Sequence, residues 1–191
     1  HLHDDLLEDL SRTAIDDHVR TLAGFGRRLR QIDPVLLPHT ECVEHPIVAS
    51  NIDARMFELE AVRSWDRNPQ IYAETLGTSL ASLALFTYAP ETERARRVVS
   101  KLRQVPRFVQ TARDNVKECP GIFVKIGLET WRGVLTFVES DLPRAFSTLD
   151  ELHILGDLAD ASTEASQAIQ TYIEYLETNL GTHTKVSFRL G

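Results

Sequence analysis

The sequence predicts an all-α protein, an antiparallel bundle of about six to seven helices with a short strand-like tail at its C-terminus. Three observations predict it. Apolar residues recur at three- and four-residue steps along most of the 191 positions, the spacing of one helix face. Prolines at 34, 69, 90, 106, 120 and 143 punctuate those stretches, where a residue lacking a backbone N–H starts or stops a helix. Two-residue alternation occurs only near the end, where Val186, Phe188 and Leu190 alternate with Lys185, Ser187 and Arg189, the period of a strand.

Residues 4–32 read as one long amphipathic helix, with Leu7, Leu10, Ala14, Ile15, Leu22, Phe25, Leu29 and Ile32 on its apolar face and His18 among them. Asp33 and Pro34 stop that helix and begin a short segment broken by Pro38. A second helix is expected from Pro46 to Trp65. Asn68 and Pro69 then cap a third, whose stripe is Tyr72, Leu76, Leu80, Leu83 and Phe86. Pro90, with Glu91 and Glu93 in the following turn, opens a fourth, since acids suit the positive end of a helix dipole. Pro106 separates it from a fifth through Phe108, Val109, Ala112 and Val116.

The stretch 120–139 reads as the central helix. Its charged residues Lys125, Glu129, Arg132 and Glu139 gather in one wedge, and apolar side chains fill most of the rest. A helix so apolar is expected to be surrounded on most sides. Gly127 lies in the apolar arc, where a missing side chain lets a neighbour approach. Thr148 and Glu151 have capping-box spacing at the start of a last helix, 149–180, whose Ala- and Ser-rich middle suits tight contact. The expected organisation is one helical domain: an N-terminal helical pair over 1–66, a main bundle over 67–182 and the tail over 183–191.

Composition bounds the function. Hydrophobic content of 42% and charged content of 26% are ordinary for a globular chain. No apolar run approaches the roughly 20 residues of a membrane helix, and the first residues do not read as a signal peptide. The compartment stays open, with cytoplasm the default. A net charge of −7 argues against nucleic acid and anionic membranes as partners. Cys42 and Cys119, the two cysteines, read as reduced thiols. The first residue is His rather than Met, so the chain is expected to be processed, tagged or part of something longer.

Catalytic motifs are absent. No His is followed by Glu, so there is no His-Glu-x-x-His helix. There is also no Gly-x-Ser-x-Gly elbow, no phosphate-binding glycine loop and no Cys-x-x-Cys pair. Three weaker candidates remain. His39 and His45, with Glu41, Cys42 and Glu44, form the densest group of metal-ligand types, and read either as a site or as a solvated connector. Arg94, Arg97 and Lys101 share a helix face and could hold an anion, or simply pair with nearby Glu91 and Glu93. Lys125, Glu129 and Arg132 have the spacing of ion pairs along a helix, and line either solvent or a cleft whose other wall lies outside the chain.

The order of motifs carries a resemblance. Trp65-x-x-Asn68-Pro69-x-x-Tyr72 is followed by Tyr88-Ala-Pro90 with Arg94 and Arg97, then by Leu102-x-x-Val105-Pro106. Ala112-Arg-x-Asn115-Val116, Pro120-x-x-Phe123 and a closing Phe188-Arg-Leu-Gly191 complete the series. In this order the chain resembles the N-terminal part of the bacterial family called domain of unknown function 885. The resemblance implies a mostly helical zinc metallopeptidase of the gluzincin kind, its zinc helix lying in a C-terminal half beyond residue 191. It places no catalytic residue and no cofactor in this chain. It implies instead a helical wall of a deep cleft, whose partners are the rest of its own polypeptide and a peptide substrate. A self-standing module burying a partner helix against residues 120–139 is the alternative. An anion-binding domain built on Arg94, Arg97 and Lys101 is a third.

Overall fold

A computed structural model describes residues 4–180 and 187. Among these the chain is mostly helical and has no strand. The helices are α1 (Arg12–Leu29), α2 (His39–Phe57), α3 (Ser64–Arg67), α4 (Gln70–Leu85), α5 (Glu91–Leu102), α6 (Val105–Asn115), α7 (Gly121–Thr136), α8 (Leu142–Ala145) and α9 (Leu152–Tyr175). Wider π-type turns extend three of them, over Glu58–Val62, Phe137–Asp141 and Leu176–Leu180. The alternating tail expected over 183–191 lies outside the described residues except for Ser187, whose carbonyl accepts from Arg67 at 2.7 Å. The chain forms two compact units, residues 10–64 and residues 4–9 with 65–180 and 187.

The smaller unit is a hairpin of α1 and α2. Its first helix does not begin at residue 4. Ser11 is the N-cap, its hydroxyl accepting from the Ala14 N–H, and residues 4–9 belong to the other unit. The capping hydroxyl was the legible signal, and the apolar stripe running through Leu7 and Leu10 obscured it. The buried face of α1 centres on Ile15 and Gly26, while Phe25 and His18 are exposed. A Cβ on Gly26 would meet Ile52 of α2 at 3.5 Å, so the buried face follows the glycine that admits the partner helix. Asp33 and Pro34 start a 3-10 turn as expected, the Asp33 carboxylate accepting from the Val35 N–H. α2 then begins at His39 and runs straight through Pro46, which sequence reading made its first residue. That proline costs the helix one bond to the Cys42 carbonyl without ending it. At the far end Arg63 adopts a left-handed φ of 56° and closes the preceding turn.

The larger unit is a ring of four rods: α4, the near-continuous α5–α6 pair, α9 and α7. Hydrogen bonds fix their directions. Arg94 reaches Leu83 and Ala84 while Lys101 reaches Ser79, so α5 runs antiparallel to α4. Trp131 meets Tyr172 while Glu139 faces the middle of α9, so α7 and α9 are antiparallel too. The other two neighbouring pairs are parallel: Pro69 and Gly77 of one rod face Gly127 and Val134 of the next, and Thr92 and Arg103 bond Glu151 and Asp157. Half of the neighbouring pairs are therefore parallel, which the helix-turn-helix connectivity alone did not reveal.

α7 corrects a second expectation. It buries one stripe, Val124, Gly127, Trp131, Val134 and then Val138, and leaves Ile122 and Ile126 exposed. Apolar composition overstated how much of its surface is covered. α9 buries more side chains than α7, through Ile154, Leu158, Ile169, Tyr172 and, just beyond it, Leu176. α9 starts at Leu152 behind Glu151 without a side-chain cap; Thr148 instead donates to the Glu91 carboxylate at 3.0 Å. The capping-box spacing therefore joins two helices rather than starting one.

Gly127 does what its place in the apolar arc implies. A Cβ there would lie 2.7 Å from Cγ of Pro69 and 3.4 Å from the Gln70 nitrogen, too close for the start of α4 to stay where it is. Gly133, six residues on, faces open space. The two glycines should therefore respond with opposite signs. Gly127→Ala is expected to destabilise by about 1–2 kcal/mol, overpacking outweighing the gain in helix propensity. Gly133→Ala should stabilise by about 0.5–1 kcal/mol from propensity alone. Urea unfolding followed by circular dichroism distinguishes them.

Candidate functional site

The basic trio of α5 is brought together, but each member is occupied. Arg94 is 7% exposed, and its guanidinium donates to the carbonyls of Leu83, Ala84 and Ala89 at 2.9, 3.1 and 3.2 Å. It thereby closes the C-terminal end of α4, where helix carbonyls have no partner of their own. The same cation lies over the Phe146 ring. Lys101, also buried, places its ammonium 2.6 Å from the Ser79 hydroxyl, and burial lowers its pKa. Arg97 pairs with Asp4 and Glu93 and meets the Tyr88 hydroxyl. An incoming anion would have to displace partners already in place.

The wedge on α7 is exposed and disperses. Arg132 does not pair with Glu129 but crosses to Glu177, and Lys125 and Glu129 have no ion-pair partner among the described residues. Helical spacing allowed those two pairs, and a carboxylate on another rod won. His39 and His45 lie six positions apart on α2, which puts them on different sides of a helix turning about 100° per residue. His45 meets the Leu29 carbonyl at 3.1 Å. Among the described residues no three His, Cys, Asp or Glu side chains converge as a metal site requires. Cys42 is half-buried and Cys119 buried, and both are free thiols.

Five of the residues that carried the resemblance, Trp65, Asn68, Pro69, Tyr72 and Asn115, converge on the start of α4. Asn68 accepts from the Gln70 N–H at 3.0 Å, supplying the expected cap. Pro69 packs against Gly127, and its carbonyl accepts from the Trp131 indole at 3.1 Å. The Tyr72 hydroxyl donates to the Trp65 carbonyl and accepts from the Asn115 amide at 2.8 Å. Trp131 in turn meets Tyr172 edge to face, with ring centroids 5.1 Å apart. This knot ties α3, α4, α6, α7 and α9 together, while Arg94 holds the other end of α4. It holds no nucleophile beside a base.

Burial raises the acids inside this region. The Tyr72 hydroxyl and the Cys119 thiol are each pushed up to about 12. Acids raised in the folded state contribute stability below their ordinary values, 9.0 for Cys119 and 10.0 for Tyr72, and lose it as pH climbs toward 12. Lys101 works the other way. Its lowered pKa means a penalty at neutral pH that fades as pH approaches 10.5. The urea midpoint should therefore begin to fall above about pH 9, the onset set by the thiol. Cys119→Ala should move that onset to higher pH, and Lys101→Met should steepen the decline.

A groove runs along the outer side of α9. It holds about 660 Å³ between Glu139 and Pro143 on one side and Ala159, Ser162, Thr163, Ser166, Gln167 and Gln170 of α9 on the other. The hydroxyls of Ser162 and Ser166 are buried there without a partner among the described residues. The Ala- and Ser-rich middle of the last helix was read as a tight contact. Its inner residues Ala161 and Ala165 are buried, and its outer ones open the groove. The lining can hydrogen-bond but offers no activated nucleophile.

The family model described as "Bacterial protein of unknown function (DUF885)" matches residues 1–191. This chain belongs to the DUF885 family. No curated protein matches it. A solved structure described as that of "a putative lipoprotein of unknown function from Shewanella oneidensis" is similar, with a TM-score of 0.82 and 19% identity. The match covers 93% of this DUF885 chain and 32% of that chain, so the chain spans about a third of the length of the solved relative. At that identity the likeness is one of fold, and the long-helix architecture is common to both. No helix among the described residues is long and apolar enough to cross a membrane.

Proposed function

We propose that this DUF885 chain is a helical scaffold within a longer polypeptide, supporting a functional site carried by another part, and that it is catalytically silent alone. The observation that carries this reading is the fate of its charged candidates. Arg94, Lys101 and Arg97 are bound by carbonyls, a hydroxyl and carboxylates of the bundle itself. Side chains so engaged hold helices in place and are not free to bind substrate.

The finer part of the proposal follows the gluzincin resemblance. The whole protein would be a zinc metallopeptidase acting on peptides, with this region as one wall of its cleft. The described residues do not fit zinc, for the histidines of α2 face different ways and no third ligand joins them. Metal chemistry would therefore belong to the other part, where zinc polarises a carbonyl and activates water. The test compares the 191-residue chain with the full polypeptide its gene encodes, measuring zinc per chain and cleavage of a peptide library. The longer protein should hold one zinc and cleave, and the 191 residues should do neither. Zinc or cleavage in the short chain overturns the scaffold reading. A longer protein without either overturns the peptidase reading only.

A further inference from the structure

The hairpin of α1 and α2 is short of buried surface. Across residues 10–64 the large apolar side chains that are buried are Leu10, Ile15, Ile52 and Leu59. The unit nevertheless displays large apolar side chains, and they gather at the end where α1 turns into α2. Val35 is 86% exposed, Leu36 82%, and Ile32, Val43 and Ile47 about half. Val43 and Ile47 lie one turn apart on α2, on a single face. A concentration of this kind at one end marks an interaction surface rather than the scattered exposure normal for a protein.

We infer that the turn end of this hairpin, around Val35 and Leu36, docks against the part of the same polypeptide that lies outside these 191 residues. The inference rests on the proposed reading that the chain is a portion of something longer. Two observations favour that occupant. The solved relative of the same fold carries about twice as much chain again beside the matched part, 32% of it being matched. The same stretch carries charges of both signs, Arg27, Arg28 and Arg30 at the end of α1 beside Asp33, Glu41 and Glu44, rather than the basic excess that draws a segment to an anionic lipid surface. A mostly apolar patch with a rim of mixed charge suits a protein face.

A photocrosslinking amino acid at position 36 of the full encoded polypeptide tests this, with peptide mapping of the product and anionic vesicles in a parallel sample. The expected result is a crosslink within one chain, to a peptide outside residues 1–191. A crosslink between two copies, a crosslink to lipid, or labelling by solvent alone overturns it. As a second measurement, Val35→Ser with Leu36→Ser should leave the melting temperature of the 191-residue chain within about 1 °C and lower that of the longer protein by about 3–6 °C. Equal shifts in both would overturn the inference. If the gene encodes nothing beyond this chain, the scaffold reading itself falls first. If more is encoded but position 36 crosslinks elsewhere, only the docking surface is lost.

Discussion

Trp131→Ala should cost about 3–5 kcal/mol of folding stability, the largest loss expected from any single substitution here. The indole is fully buried, and three elements depend on it. Its ring fills the seam where α7 meets α9 and lies edge-on to Tyr172. Its N–H satisfies the carbonyl of Pro69, at the point where α4 begins. Alanine would open a cavity and leave that carbonyl unpaired in an apolar setting. Trp131→Phe narrows the comparison, because it keeps an aromatic ring in the seam while losing the donor and part of the ring volume. A loss of about 1–2 kcal/mol is expected for it. Urea unfolding by circular dichroism measures both, and a loss below about 1 kcal/mol in the alanine variant would contradict the account of this junction.

Arg94→Met should be the next most damaging, at about 2–4 kcal/mol. Methionine retains the apolar stem and removes the guanidinium, so three carbonyls lose their donor while little volume changes. Hydrogen bonds to a charged donor are individually stronger than neutral ones. Arg94→Lys should recover little. One ammonium on a flexible stem does not reproduce the planar fork that serves Leu83, Ala84 and Ala89 at once. If lysine restored full stability, the capping role assigned to Arg94 would be wrong.

Much of the fold was legible because helices announce themselves locally. Three- and four-residue spacing marks Tyr72, Leu76, Leu80, Leu83 and Phe86 as one buried stripe; the first four are buried, whereas Phe86, the C-cap just past the end of α4, is exposed. Asn68 and Pro69 marked the start of α4 through the chemistry of a cap. Errors arose where local signals compete. Pro46 looks like a boundary, yet the helix runs through it. Leu7 and Leu10 continue a stripe across a break that Ser11 creates. The apolar wealth of α7 suggested full enclosure, whereas burial depends on how many neighbours the topology supplies.

Site residues were harder to read for a plain reason. A charge on a helix face has the same sequence pattern whether it meets water, a ligand or a backbone carbonyl. By spacing Arg94 suits an anion, yet its partners lie ten and eleven positions back across a helix–helix contact. Nor could Arg132 be matched to Glu177 by spacing along one helix. Ser162 and Ser166 offered only the small-residue composition of their helix.

The central claim is that these residues serve to pin α4 at both ends. Amide hydrogen exchange along Gln70–Leu85 under native conditions tests it most directly, since helix ends ordinarily fray. With Trp131 and Tyr72 holding one end and Arg94 the other, the last turn near Leu83 and Leu85 should exchange as slowly as the middle near Leu76. Protection that falls away steadily toward Leu85 would contradict the account.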